Sequence, residues 1–580
     1  MKNTRDRGIN TNTFSAKDES RCARSARSRA RRALASGVAG MLGWAVPDAY
    51  AQRYDDAPAL SRSVSADAIL RAGANALAPD DGIAIVVDAG NAHDMNGTRA
   101  RAPGPNSFAI GGNALAAGAD SIALGPQAWA AGDASLAAGV AAAAYQTDAV
   151  AVGAGAKAKG EQSMAAGTQA LAASSGSTAV GVQSSATGAA STALGADAAA
   201  FGDGSIALGS GASANEFDSI ALGTAASAFA DETVAIGGAA SAEGTGSIAL
   251  GAEASALDDG SVAVGHGANA QASGGVAIGV AADASAEHGI ALGSSANASG
   301  TGAAAVGVSS NAAGTDSAAF GPNASALGDA SLAMGRRAIA TNDGNVAIGA
   351  DAHATASSGI AIGVGARAEG ADSTVLGAGA HVGRTGGVAV GVAATATGTD
   401  GLATGARAQA AGFRSTAIGA DATAAGDRST SVGNGASATA AYSIALGSDA
   451  VASGTNSVAL GHASVADRDD TVSVGAAGRE RKIAHVADGV LPSDAVNMRQ
   501  LHSVARRAYG GVAAATALSM IPDVDEGKTI AVGIGTGGYL GYQAVALGAS
   551  VRFGENLKLR AGASLNAATT TWGAGASYSW

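Results

Sequence analysis

Hydrophobic and small residues alternate along most of this chain in short bursts that return every fourteen positions. Residues 205–223, SIALGSGASANEFDSIALG, hold the same burst twice. Counting in steps of fourteen, every position from Gly111 to Gly475 is glycine, twenty-seven in succession. The residues before these glycines vary on one theme: SFAI before Gly111, SIAL before Gly125, TVAI before Gly237 and SVAL before Gly461. After each glycine come two variable residues and commonly Ala-x-Ala, as in Ala128-Trp129-Ala130 and Ala450-Val451-Ala452. In an extended chain Ile206 and Leu208 point one way and Ser205, Ala207 and Gly209 the other. Fourteen residues accommodate two strands of about five residues and two tight turns. Stacked units give a parallel β-solenoid, and twenty-six steps of about 4.8 Å give a rod of roughly 125 Å. The Ile/Leu/Val row is expected to fill its thin interior, and the Ala/Gly row to let a partner chain approach, since one thin coil buries little surface alone. Hexapeptide acyltransferase helices fail on spacing. Calcium-binding nonapeptides need a regular aspartate frame, whereas Asp203, Asp218 and Asp231 are irregular. An ice-binding face needs a rank of threonines that is missing here.

After Gly475 the period breaks into AAGRERKIAHVADGVLPSDAVNMRQL, residues 476–501. Ser493 and Asp494 read as a helix N-cap region, with a helix over 494–519 that Gly510 and Gly511 weaken and Pro522 stops. Period-two alternation then returns. Leu557, Leu559 and Leu565 oppose Lys558, Arg560 and Asn566; Val545, Leu547 and Phe553 oppose Ala544, Ala546 and Gly548; Trp572, Tyr578 and Trp580 oppose Gly573 and Gly575. With KTIAVGIGT (528–536) this makes four strands of about ten residues, the pattern of transmembrane β-strands. Leu557, Leu559, Leu565, Trp572 and Tyr578 form the expected lipid face. Four strands cannot close a barrel and an open sheet cannot sit in lipid, so the barrel must be shared between chains. Gly533, Gly535 and Gly538 fit a dinucleotide fingerprint, but period-two alternation follows where a helix should open, so they read as close-packing positions.

Glycine, 87 of 580 residues, is about twice its usual roughly 7% share, while aromatics are only 3%, which argues against a conventional globular core. Residues 1–51 carry ten Lys/Arg against four Asp/Glu, an apolar stretch over 33–46, and Ala49-Tyr50-Ala51 before Gln52, the anatomy of a secretory signal peptide cleaved after Ala51. Its removal takes the formal charge from −12 to −18, which argues against nucleic acid as a partner. Cys22, the single cysteine, leaves with it, so no disulfide framework is available. The histidines, among them His93, His266, His288, His353, His381 and His462, are scattered without ligand or triad spacing. No enzyme activity, cofactor or metal is expected. Loop residues that break the repeat, Trp129, Tyr145, Phe217, Phe229, Arg336 and Arg337, are candidate exposed contacts.

The chain resembles the trimeric autotransporter adhesins of Gram-negative bacteria. The head units resemble that family's left-handed parallel β-roll repeats. The neck pattern is matched by Ser473-Val474-Gly475, Arg481, Ile483, Val486, Gly489, Asp494, Ala495, Val496, Asn497, Gln500 and Leu501, with His485 where Asn is usual and Ser493 where Thr is usual. The resemblance implies an all-β dominated fold: a trimeric head, a short helical neck and stalk, and a 12-stranded barrel to which three chains each give four strands. The domains are then a signal peptide (1–51), an N-terminal segment or cap (52–106) containing GIAIVV at 82–87, head repeats (107–478), neck (479–501), stalk or anchor helix (502–525) and barrel anchor (526–580). Heptad positions Val496, Leu501, Val504 and Ala508 support only one or two turns of coiled coil. The implied partners are two further copies of the chain, host matrix or a cell-surface receptor, outer-membrane lipid, and the barrel assembly machinery that reads a terminal aromatic such as Trp580. The implied function is surface attachment, with autoaggregation or serum resistance; the alternative is a structural spacer or surface-layer rod.

Overall fold

A computed structural model describes residues 83–85 and 100–580. The signal-peptide reading, with Ala49 and Ala51, and most of segment 52–106 lie outside the described residues.

Each fourteen-residue unit is one flat coil of two short strands. The first is three residues long and precedes the ladder glycine, as in Ile206–Leu208; the second has two residues, as in Ser213–Ala214. Each pairs in parallel with its counterpart fourteen residues on: Ile206, Ala207 and Leu208 lie against Ile220, Ala221 and Leu222, and Ser213 and Ala214 against Ser227 and Ala228. Two continuous ladders therefore run along the rod, one of three-residue strands and one of two-residue strands. Ile83–Ile85 adds a rung to the first, in register with Phe108–Ile110.

The faces are the reverse of the expected ones. Ser205, Ala207, Ala212 and Ala214 are buried, and the same positions are buried in coil after coil. Ile206, in contrast, is 40% exposed, and Leu194, Ile248, Leu250 and Ile278 are exposed with it. The physical reason is width. Two strands joined by tight turns lie so close that the space between them is filled almost wholly by serine and alanine, and most branched side chains are forced outward. Many of the serine hydroxyls turn back on the chain, Ser205 Oγ donating to the Gly202 carbonyl at 2.6 Å and Ser121 Oγ to Gly118 at 2.7 Å.

Both turns of a coil carry a left-handed residue, so these recur every seven positions: Asp197, Gly204, Gly211, Asp218 and Ala225 have φ of 56°, 71°, 69°, 51° and 56°. Many residue types occupy these sites. The ladder glycine is different. Gly209 has φ 139°, outside the reach of L side chains, and a Cβ there would lie 2.3 Å from the Gly223 carbonyl oxygen of the next coil.

Where the interior departs from Ser/Ala, the next coil compensates. Asn345 replaces the serine and bridges inward, donating to the Ala354 carbonyl at 2.7 Å and accepting from the Gly359 N–H at 2.8 Å, where glycine leaves room. Val375 and Val382 are the largest fully buried side chains, and Gly387 follows them in the serine position. A Cβ on Gly387 would meet Val382 Cγ1 at 2.5 Å. Gly387→Ser is therefore expected to destabilise the head by about 1–3 kcal/mol through overpacking. Val382→Ala in the same chain should restore most of the loss, read by thermal unfolding of the purified trimer.

Candidate functional site

Three features of the chain are built to meet something outside it. The first is the outward Ile/Leu/Val row of the three-residue strands, which runs the length of the head. A continuous apolar stripe of this length far exceeds the few hundred Å² that a soluble monomer exposes. It is a seam for further chains.

The second is the neck, where the rod gives way to the helix. The Arg481 guanidinium closes the last coil, donating to Ser464 Oγ at 2.5 Å, to the Val474 carbonyl at 2.8 Å and to the His462 carbonyl. The following loop is tied to the start of helix α1 (Met498–Ser519). Gln500 pairs with the Gly489 peptide in both directions, at 2.9 and 3.0 Å. Asn497 is the N-cap and forms a capping box with Gln500. Its side-chain amide donates to the Val486 carbonyl at 3.0 Å and to Asp488 at 2.6 Å, and Asp488 also accepts from Arg499 at 2.6 Å. Asp494, expected near the N-cap, instead caps the preceding turn by accepting from the Val490 and Leu491 N–H groups, each at 2.8 Å. The helix therefore starts four residues later than expected. His485 stands at φ 58°, a left-handed site that Asn adopts more readily. Ile483, Val486, Ala495, Val496 and Leu501 line one open groove, and Val496, Leu501 and Val504 are exposed. The polar neck residues thus fold the chain on itself, and the apolar ones face out of it.

The third is the C-terminal sheet. Four antiparallel strands, Ile530–Tyr539, Tyr542–Phe553, Leu557–Asn566 and Thr570–Tyr578, follow one another in order. The helix lies on one face. Gly510, Ala513, Ala514 and Ala517 are its buried residues, and they meet a sheet face of equally small ones. A Cβ on Gly535 would lie 2.2 Å from the Ala517 carbonyl oxygen, and one on Gly537 2.5 Å from that of Ala513. The glycines of the fingerprint-like stretch are thus strand residues, and Gly533, Gly535 and Gly537 pack against Pro522 and the helix. Asn566 donates to the Gly510 carbonyl at 2.6 Å. Arg560, which sequence reasoning marked only as polar-face, donates to the carbonyls of Leu518, at 3.0 Å, of Ser519, at 3.1 Å, and of Ile521. It places a cation where the helix dipole is negative. On the other face Val532, Ile534, Val545, Leu547, Leu559, Leu565, Trp572 and Tyr578 are exposed, Trp572 by 80%, and Leu557 is half-buried. Trp580 is fully exposed.

No helix among the described residues is long and apolar enough to cross a membrane, which does not bear on strands. Also among the described residues, no three His, Cys, Asp or Glu converge in a way that could hold a metal ion.

Known proteins match this layout in the same order. Windows from 97–114 through 452–477 match the YadA head domain repeat, residues 482–519 match the coiled stalk of trimeric autotransporter adhesin, and residues 522–580 match the YadA-like membrane anchor domain. The chain belongs to the YadA-like trimeric autotransporter adhesins. A crystal structure of the collagen-binding domain of the Yersinia adhesin YadA is 25% identical, over 36% of this chain and 84% of that one, with a TM-score of 0.19. At that score the likeness adds nothing in three dimensions, and the collagen stays with that protein.

As a YadA-like chain it belongs to a trimeric family, and the outward stripe, the neck groove and the sheet edges are what a single chain leaves uncovered. In the family the four strands contribute to a trimeric barrel. The stalk is short: α1 alone joins the neck to the anchor.

Two neck carboxylates carry a pH dependence. Arg499 and Asn497 hold Asp488 below the usual carboxylate range, and the Leu491 and Val490 N–H groups do the same for Asp494. A carboxylate whose folded pKa is depressed contributes stability above its unfolded pKa and loses it as pH falls through the folded value. The heat resistance of the trimer should therefore decline on acidification below the ordinary carboxylate range. Asp494→Asn should lower it at neutral pH and flatten that decline, read as band intensity on gels after incubation across pH. In the anchor, Gly535→Val should abolish the heat-resistant trimer, because the added methyls enter the Ala517 backbone.

Proposed function

We propose that this protein is an adhesin that holds its head outside the bacterial outer membrane and binds host cells or extracellular matrix there. The observation that carries this reading is the order of parts: a long repetitive head with a continuous outward face, joined through a short helix to a sheet with an exposed aliphatic and aromatic face. Three chains with many similar coils offer multivalent contacts, whose avidity exceeds that of each one. On this reading residues 1–51 direct export with cleavage after Ala51, Leu557, Leu559, Leu565, Trp572 and Tyr578 meet lipid, and Trp580 is read by the barrel assembly machinery. The brevity of the stalk sets the head close to the membrane. Autoaggregation and serum resistance are finer consequences of the same design. A spacer rod would share the coils but would leave attachment to other surface proteins.

The reading is tested on bacteria expressing the full chain. Outer-membrane extracts should give a band near three times the mature mass that collapses only on harsh denaturation, and the cells should attach to epithelial monolayers or matrix-coated plates. A trimer at the surface with no gain in attachment would leave the spacer.

A further inference from the structure

We propose that Trp129, Tyr145, Lys157 and Lys159 form a binding site for an acidic sugar, on the side of the head opposite the trimer seam. This deepens the adhesin reading by naming a ligand class for one face.

From Ser185 to Ser325 the outward position of the two-residue strand is small and, apart from Ala199, polar, as in Ser185, Ser213, Ser227, Ser241, Asn269 and Asn297. Near the N-terminal end of the head the same ladder reads Leu115, Trp129, Ala143, Lys157 and Leu171, paired rung to rung. Two residues further along their coils, Tyr145 and Lys159 occupy neighbouring rungs. Trp129 and Lys157 are two rungs apart, about 10 Å, and Lys157 and Lys159 are separated by roughly 7 Å along the strand. Trp129 is 41% exposed, and both lysines are exposed. The Trp129 and Tyr145 rings meet edge to face with centroids 5.1 Å apart. Ala143 faces outward between them yet is only 7% exposed, because the flanking side chains lie over it.

Charge marks the same place. Between residues 103 and 335 the chain carries eighteen Asp and Glu but only two basic residues, and those two are Lys157 and Lys159. Neither forms an ion pair among the described residues, whereas Arg336, Arg337, Arg367, Arg407 and Arg414 further along the head all do. Two unpaired ammonium groups beside the one tryptophan of the head therefore offer a local anion site in an acidic surround.

The backbone here is already committed. The Trp129 N–H donates to the Ala142 carbonyl at 2.7 Å and the Lys157 N–H to Ala170 at 2.8 Å, so a peptide cannot add as a strand. What the surface offers is ring faces and ammonium groups. A pyranose stacks its C–H face on an aromatic ring, and a carboxylate or sulfate on that sugar takes charge-assisted hydrogen bonds from the lysines. The attraction of the two lysines fades over about a Debye length of 8 Å, and a long polyanion would run past it onto the surrounding carboxylates, which favours an acidic unit at the end of a glycan over an internal stretch of polymer.

The test uses bacteria displaying the full chain, with surface trimer equalised by the heat-resistant band. Retention is measured on beads carrying sialyllactose, sulfated lactose, plain lactose or poly-glutamate, alongside attachment to epithelial cells. Retention is expected on one or both acidic sugars, with the two arms separating carboxylate from sulfate, and not on lactose or poly-glutamate. Lys157→Gln with Lys159→Gln, and separately Trp129→Ala, should each reduce it at least tenfold. Trp129→Phe should recover part, and Arg407→Gln with Arg414→Gln should leave it unchanged. Equal retention on poly-glutamate, no retention on any acidic sugar, or full retention by the lysine and tryptophan variants would overturn the site. If epithelial attachment persists in those cases, only the ligand class falls; if it is also absent, the adhesin reading falls with it.

Discussion

The interaction on which everything else rests is the main-chain hydrogen bond from one coil to the next. Gly209 N–H donates to the Leu194 carbonyl at 2.8 Å, Gly223 to Leu208 at 2.8 Å, and the pattern repeats along the head. Such a ladder fixes the spacing between coils, so any atom added at the crowded glycine strikes the neighbouring backbone instead of displacing a side chain. The ladder also saturates the backbone of each chain and leaves only side chains to make contacts outside it. With serine and alanine inside, a single chain has almost no apolar bulk to bury, and its large aliphatic residues wait on the outside for two copies of itself.

Much of this was legible in the residues. The fourteen-residue period is arithmetic, and the alternation within it assigns residues to two faces without ambiguity. Which face is the inside was not legible, because alternation is symmetric under exchange of faces. The aliphatic row was expected within, as it is in most strands, yet the distance between two strands closed by tight turns favours small residues such as Ser205, Ala207, Ala212 and Ala214. The signal that could have settled it is the near-absence of variation at the alanine positions, against Ile, Leu, Val, Thr and Met at the others.

At the neck, the residues singled out by resemblance include both halves of the arrangement, but their division of labour needed coordinates. Arg481, Asn497 and Gln500 bond within the chain, whereas Ile483, Val486 and Leu501 line its outward groove. The helix start was misplaced because Ser493 and Asp494 carry capping chemistry, and Asp494 spends it on the turn before Asn497. Arg560 was not visible as a helix cap at all. It lies 42 positions from Leu518, and only the packing of helix on sheet brings the two together.

Because each coil bonds only to its two neighbours, most of them are interchangeable along the rod. Removing a unit, or copying one, keeps the main-chain ladder and changes the reach by about 4.8 Å, except at the matched junctions of Asn345 with Gly359 and of Val382 with Gly387. A gene built from such interchangeable units can lengthen or shorten its product by slippage without passing through a misfolded intermediate. The height at which the tip stands above the cell is thus free to drift in small steps under selection, while the machinery at either end is left untouched.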